Sequence, residues 1–217
     1  MKNGLLLFAG TLGLIVLSWG GVALSAHRQL GTLTQYKDPV DETLFPLPLT
    51  GAANQGRLVY QDLGCVSCHT QQVRRDGFGA DIARQWGSRQ SVARDYIGDH
   101  TVFLGSNRLG PDLRNVGARS TTSADSLYTL LYAPQSVTAG TNMPSYGFLF
   151  QVRPINPGQP SPKALKLTGT AAAPAGYEVV PTARAEQLVA YLLNLKDTYE
   201  YPEAKPYVAT AQKEGGH

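Results

Sequence analysis

The sequence predicts an all-α protein in which one N-terminal transmembrane helix carries a small helical domain. Three observations support this fold class. No charged residue occurs between Gly4 and Ala26, a run long enough to cross a membrane. Apolar residues later recur at the spacing of one helix face, most clearly between residues 188 and 195. Between these regions lies the motif Cys65-Val66-Ser67-Cys68-His69, which a tight helical turn can present as one site.

The motif at residues 65–69 is typical of the attachment site of a c-type haem. Each thiol adds to one vinyl group of the porphyrin, and the two-residue gap places both sulfurs along one porphyrin edge. His69 is then carried under the iron and supplies one axial ligand. Cys65 and Cys68 are the only cysteines of the chain. We therefore expect one covalently bound haem c.

Two other uses of a Cys-x-x-Cys pair are a redox dithiol and half of a zinc site. A dithiol does not require His69. A zinc site needs four ligands, and binding of one ion by the adjacent Cys68 and His69 would strain its geometry. No third or fourth thiol exists for a zinc ribbon or an iron–sulfur cluster. The motif therefore favours haem.

The N-terminal segment, residues 1–26, is expected to be a transmembrane anchor. About 22 uncharged residues at 1.5 Å each span roughly 33 Å, which matches a bilayer core of ~30 Å. A cleaved signal peptide is the alternative, because Ala23-Leu24-Ser25 resembles a cleavage site. The apolar run is longer than a typical signal core, which favours an uncleaved anchor.

Charges at the two ends of the anchor give only a weak orientation, since Lys2 precedes it and Arg28 follows it. Haem attachment decides the orientation, because it takes place outside the cytoplasmic membrane. We expect a single-pass protein of the inner membrane with its haem domain on the periplasmic face.

Composition and the positions of the prolines divide the remainder of the chain into segments. Hydrophobic residues make up 42% of the sequence, enough for the core of one domain. The net charge of +3 is too small to predict nucleic-acid binding, and no small-molecule substrate is expected. We predict an extended linker at 27–50, a cytochrome c domain at 51–200 and a polar tail at 201–217. Six prolines predict a surface excursion at 153–181.

Three helices are predicted in the domain. The first begins near Ala53 or Asn54 and leads to Cys65, and a second runs from Ser123 to about Tyr132, where Pro134 ends it. The third is capped by Thr182 and runs to about Lys196, with an apolar stripe on one side. The residues of that stripe are Leu188, Tyr191, Leu192 and Leu195.

The first and last of these helices are expected to cross near Gly56 and Tyr191. A glycine at the crossing point lets a second backbone approach closely. A pair of helices that cross in this way, one at each end of a haem domain, is the core of the class I cytochrome c fold.

A second axial ligand is predicted at Met143, the only methionine besides Met1. Its thioether is a soft ligand that stabilises ferrous iron and raises the reduction potential. The following Pro144 stiffens the loop that presents it. Among the other histidines, only His100 is a serious rival for this position.

Three further residues are candidates for the haem surroundings. In Gly110-Pro111-Asp112-Leu113, the carbonyl of Pro111 is expected to accept a hydrogen bond from His69 Nδ1 and so to orient the ring. Residues 70–120 contain eight arginines and no lysine, and arginine suits bidentate contact with carboxylates. We expect Arg108, beside the proline turn, to contact a haem propionate, with Trp86 as a further candidate.

These motifs together resemble the mono-haem subunit II of cbb3-type cytochrome c oxidases. The resemblance covers about residues 1–150. It rests on Gly56-Arg57, Gly64 to Gln71, Gly98-Asp99-His100, Leu104-Gly105-Ser106, Arg108, Gly110 to Leu113, Val116 to Arg119, Pro134, Ser136-Val137 and Asn142 to Tyr146.

The resemblance implies a haem c ligated by His69 and Met143, and two kinds of partner. A diheme cytochrome c subunit would donate electrons, and a catalytic haem–copper subunit would receive them. The chain would then be an electron-transfer subunit that is not catalytic on its own.

Two other functions stay open at this point. One is an anchored cytochrome c of a nitric oxide reductase or another respiratory complex. The other is a haem enzyme or gas sensor with an open iron position, which Met143 argues against because a sixth protein ligand blocks exogenous binding.

The motif yields a direct prediction about covalent attachment. Replacing both Cys65 and Cys68 with alanine should abolish covalent haem, because no thioether can then form. Haem peroxidase staining of a denaturing gel measures this. A stained band that survives in the double variant would contradict the assignment.

Overall fold

A computed structural model describes residues 3–49, 51–156 and 159–206 of the chain. Of these residues, 40% are helical and 8% lie in strands, so the protein is largely helical but has strands that the all-α prediction omits. The described residues form two compact units. One comprises the described parts of 1–46 together with 93–99, and the other comprises those of 47–92 and 100–217.

The first unit begins with helix α1, Gly4–Leu30. None of its residues is buried, and the helix is long and apolar enough to cross a membrane. Basic residues appear only in its last turn, at His27 and Arg28. The helix therefore continues four residues past the predicted boundary at Ala26.

The region predicted as an extended linker, 27–50, is more ordered than expected. Strands β1, Tyr36–Lys37, and β2, Leu44–Phe45, pair antiparallel. Asp38 stabilises the turn between them, because its side chain accepts a hydrogen bond from Val40 N at 2.7 Å. Arg94 donates to the carbonyl of Thr34, which joins the 93–99 segment to this unit. Thr50 lies outside the described residues.

The second unit is organised around two crossing helices, α2, Gly51–Asp62, and α5, Ala183–Asn194. A Cβ atom at Gly56 would lie 1.8 Å from the carbonyl oxygen of Gln187 and 2.8 Å from Cβ of Tyr191. Only glycine fits at such a distance. The predicted crossing near Gly56 and Tyr191 is therefore present.

The core lies along this crossing. Leu188, Tyr191, Leu192 and Leu195, the predicted apolar stripe of α5, are all buried. Tyr60 of α2 is fully buried, and its ring lies 5.5 Å from the ring of Tyr191. Thr182 caps α5, as predicted, by accepting a hydrogen bond from Ala185 N.

Two short helices complete the helical part. Helix α3, Ala124–Tyr132, begins after Ser123, whose side chain exchanges hydrogen bonds with Ser126 in a capping box. Its Leu127 and Leu131 are buried in the core. Helix α4, Pro134–Val137, starts at the proline that was predicted to end α3. The break at this point is what a proline causes.

The predicted surface excursion at 153–181 begins and ends in paired strands. Strand β3, Phe150–Pro154, pairs antiparallel with β4, Tyr177–Pro181. Val179 and Val180 are buried, because β-branched residues pack well in a strand. The prolines at the ends of the two strands do not interrupt the pairing between them. Pro157 lies outside the described residues, as does the predicted tail beyond residue 206.

A buried carboxylate stabilises this hairpin. Glu178 is 7% exposed and accepts hydrogen bonds from Arg153 Nε at 2.8 Å and from Ser161 N at 2.6 Å. Leu165 N donates to the carbonyl of Val179 at 2.8 Å. The chain between the strands is thus held against β4.

The helix crossing generates a prediction about stability. Gly56→Ala should lower the free energy of unfolding by about 2 kcal/mol or more, since the methyl group would overlap the backbone of α5. Thermal unfolding of the haem-loaded chain in detergent, followed by circular dichroism, measures this. Gln55→Ala is the matched control on the exposed face of α2 and should stay within about 0.5 kcal/mol of wild type. Equal stability of the two variants would contradict a close crossing.

Candidate functional site

The residues of the Cys-x-x-Cys-His motif follow directly from the end of α2. Gly64 takes a left-handed conformation, φ 67°, and starts a single tight turn over Cys65–Ser67. The amides of Cys68 and His69 both donate to the carbonyl of Cys65, at 3.2 and 3.0 Å. Both thiols and the imidazole therefore come from one turn, as the sequence predicted.

The imidazole of His69 is held by the proline turn. Its Nδ1 lies 2.8 Å from the carbonyl oxygen of Pro111. A carbonyl can only accept, so Nδ1 carries the proton and Nε2 keeps its lone pair for a metal. Burial lowers the pKa of His69, against the opposing effect of the Pro111 hydrogen bond. The lowered pKa favours the neutral imidazole, the form that ligates iron.

The proline turn lies directly against this ring. A Cβ atom at Gly110 would lie 2.2 Å from Cε1 of His69, and Gly110 N donates to the carbonyl of Cys68 at 3.0 Å. A Cβ atom at Gly105, where φ is +74°, would lie 2.5 Å from the carbonyl oxygen of His69. Because Gly105 and Gly110 have no side chains, the segments that contain them can both pack against the segment that contains His69.

Asp112 connects the two segments that flank His69. It is 0% exposed, and its Oδ2 accepts hydrogen bonds from Thr70 Oγ1 at 2.6 Å and Gln72 N at 2.7 Å. Its Oδ1 accepts one from Arg114 N at 2.9 Å. The sequence places Asp112 in the proline turn but does not indicate its role, because most of its hydrogen-bond partners lie 40 or more positions away along the chain.

The two cysteines are free thiols, both half-buried. Cys65 packs against the hydrophobic core. Burial raises the pKa of the Cys65 thiol to about 11, with a hydrogen bond to Tyr146 opposing the shift. Burial likewise raises the pKa of Tyr146 to about 12. The contact connects the haem motif to the loop that carries Met143.

Met143 lies in a loop that α3 and α4 hold in place. The side chain of Gln135 donates to the carbonyl of Thr141 and accepts from Gly140 N. Met143 N donates to Thr141 Oγ1 at 3.2 Å. Its side chain is half-buried and packs against the core. The stiffness predicted from Pro144 therefore has a second source in these hydrogen bonds.

The residues expected to contact a propionate, Arg108 and Trp86, lie beside each other. The guanidinium carbon of Arg108 is 5.7 Å from the centre of the Trp86 ring. Arg108 also donates to Asp81 at 2.5 Å and to the carbonyl of Gln72 at 2.6 Å. Burial of Asp81 would raise its pKa, but the hydrogen bonds from Arg108 and Arg74 outweigh burial and lower it.

Arg119 is a further cationic residue near His69. Its terminal nitrogen donates to the carbonyl of Asp112. Its Nε is buried and has no hydrogen-bond partner among the described residues. Burial lowers the pKa of this guanidinium. Such a donor fits an anionic group that the protein atoms themselves do not supply.

These features fit a haem c. Two thiols and a neutral imidazole come from one turn, the Nε2 lone pair is available, and a buried guanidinium donor lacks a partner. Within the described residues, no three His, Cys, Asp or Glu side chains form a cluster that would hold a metal ion without a porphyrin. His100, the rival ligand, is exposed.

Comparison with known families identifies the family of the chain. The family described as cytochrome c oxidase, mono-heme subunit/FixO, matches residues 11–195. The chain belongs to the FixO family. A comparison with curated proteins found no match.

Family membership confirms the resemblance to the mono-haem subunit of cbb3-type oxidases. The protein is a mono-haem cytochrome c subunit of an oxidase complex that contains other subunits, acts in electron transport and binds haem c. The match continues through residues 151–195, whereas the resemblance seen in the sequence ended near 150. The β3–β4 hairpin therefore lies within the matched region.

The contact between the proline turn and His69 yields a prediction. Gly110→Ala should push the imidazole away from its position, because the new methyl group would overlap the ring. We expect a higher proportion of high-spin haem in the optical spectrum. Asn107→Ala, an exposed residue of the same loop, is the control and should keep the wild-type spectrum. A Gly110→Ala spectrum equal to that of the control would contradict this geometry.

Proposed function

We propose that this chain relays electrons from a diheme cytochrome c subunit to the catalytic haem–copper subunit of its oxidase. The observation that carries the proposal is the single site built from the Cys65–His69 turn and the Pro111 carbonyl, in a chain of the FixO family. The chain itself does not perform the terminal chemistry.

His69 and Met143 are the proposed axial ligands, and Cys65 and Cys68 the attachment points of one haem c. When bound, the haem supplies an iron that changes its oxidation state by one electron. The chain would hold both proposed ligands in place. His69 is oriented by Pro111, and the Met143 loop is fixed by Gln135 and Thr141.

Rigid ligands suit outer-sphere electron transfer, because such a site rearranges little between the two oxidation states. The core around the site supports this rigidity. Helices α2 and α5 cross at Gly56 with no room for a side chain, in the manner expected of a class I cytochrome c domain. α2 leads directly into the turn that contains Cys65.

Arg108, Trp86 and Arg119 are proposed to contact the haem propionates. Arg119 has the stronger support, because its buried Nε has no partner, whereas Arg108 is already paired with Asp81. Trp86 would pack beside Arg108.

We also propose that α1 spans the cytoplasmic membrane once and that the haem domain lies on the periplasmic side. The length and apolar character of α1 support the span. The side follows from the compartment in which c-type haem is attached. Oxygen consumption by the purified complex, rather than nitric oxide consumption, tests the identity of the terminal acceptor.

Ligation by Met143 is tested by carbon monoxide. Reduced wild-type protein should bind it poorly, since both axial positions are filled. Met143→Ala should open the iron, convert part of it to high spin and lower the reduction potential, because the ferrous state loses its soft ligand. Met143→His should restore low spin at a potential below that of wild type.

His100→Ala is the control for this experiment, because His100 is the rival ligand. It should leave the spectrum and the low carbon monoxide affinity unchanged. Ready binding by the wild type, or a Met143→Ala spectrum equal to that of wild type, would overturn the assignment.

A further inference from the structure

We propose that Asp112 is a positioning residue whose buried negative charge lowers the reduction potential of the haem. The inference rests on the proposed ligation of iron by His69. Asp112 acts through the segments on either side of that ligand and through its charge, without touching the iron.

Asp112 directly follows Pro111, whose carbonyl holds His69 Nδ1 at 2.8 Å. Its carboxylate accepts a hydrogen bond from the hydroxyl of Thr70, the residue that directly follows His69, at 2.6 Å. One side chain therefore connects both partners of the His69–Pro111 hydrogen bond.

Neutral groups surround the Asp112 carboxylate at hydrogen-bond distance. The three hydrogen-bond donors to the carboxylate are a hydroxyl and two backbone amides, from Thr70, Gln72 and Arg114. All three are neutral. Two cations lie close to Asp112. One terminal nitrogen of Arg108 is 3.7 Å from the carboxylate, but this guanidinium is also bound to Asp81 at 2.5 Å. The guanidinium of Arg119 donates to the backbone carbonyl of Asp112 rather than to its carboxylate. The guanidinium of Arg114 pairs with Asp197 instead.

Asp81 is a second buried carboxylate, but its charge is compensated in a different way. It is equally buried, but its carboxylate accepts from two guanidinium groups, those of Arg74 and Arg108. Its charge is therefore compensated within hydrogen-bond distance. The hydrogen bonds to the Asp112 carboxylate come from neutral donors, so its negative charge is compensated less than that of Asp81. More of its electric field therefore reaches the surroundings.

The sign of the effect follows from the charges of the two redox states. Ferric haem carries one more positive charge than ferrous haem. A buried anion near the iron favours the ferric state and lowers the reduction potential. Hydrogen bonds from neutral donors spread the carboxylate charge, so each of them weakens this effect slightly.

Two substitutions separate the charge from the structural role. Asp112→Asn removes the charge at nearly constant shape and should raise the ratio of reduced to oxidised haem, at fixed ambient potential, roughly tenfold. Thr70→Val removes one donor at nearly constant shape and leaves the charge more localised. It should shift this ratio in the opposite direction, by a smaller factor, whereas Thr70→Ser should match wild type.

The measurement is a spectroelectrochemical titration of the full haem-loaded chain in detergent. Glu178→Gln is the matched control, because it neutralises a buried, hydrogen-bonded carboxylate in the β3–β4 hairpin and should leave the potential unchanged. Opposite shifts for Asp112→Asn and Thr70→Val support the proposal. Shifts in the same direction, or none, would show that Asp112 acts only as a structural residue and would overturn it.

If Asp112→Asn does not load haem, the comparison of Thr70→Val with Thr70→Ser decides the question. A lower potential in Thr70→Val supports the proposal, and equal potentials overturn it. Failure of the proposed function would appear separately, as carbon monoxide binding by the wild type. Potentials are compared only among variants that keep the low-spin spectrum.

Discussion

The hydrogen bond between His69 Nδ1 and the Pro111 carbonyl is the constraint on which the rest of the domain depends. It joins residues 42 positions apart in the chain. It exists only because Gly110 has no side chain to displace the ring and because the Asp112 carboxylate holds the segment after His69. The salt bridge between Arg114 and Asp197, with an N–O distance of 2.6 Å, holds the proline turn in place.

The same constraint connects the haem motif to the hydrophobic core. Gly117 lies four residues after the proline turn. Its amide donates to the carbonyl of Leu195, and a Cβ atom there would lie 2.2 Å from the carbonyl oxygen of Leu193. α5 in turn crosses α2 at Gly56, and α2 ends three residues before Cys65. These contacts connect His69 to α5 through the proline turn, and they connect α5 to the haem motif through α2.

Local patterns predicted the helices and the tight turn at Cys65 well, because their signals lie within a few positions of one another. The apolar stripe of α5 and the caps at Ser123 and Thr182 are examples. The β3–β4 hairpin escaped prediction because its prolines indicated irregular structure, while the strand pairing joins residues up to 31 positions apart, Phe150 with Pro181. The role of Asp112 escaped for a similar reason, since two of its donors belong to a segment 40 or more positions earlier.

Thr182 closes the β3–β4 hairpin and caps α5 at the same time. Its amide and its hydroxyl both donate to the carbonyl of Leu149, 33 positions earlier, at 2.9 and 2.7 Å. The chain between these residues is held against the domain at further points, because Phe150 and Val179 belong to the hydrophobic core and Lys163 Nζ lies 2.5 Å from Glu186 Oε1 of α5. A substitution that removes the Thr182 hydroxyl would therefore loosen the end of the hairpin and the start of α5 together.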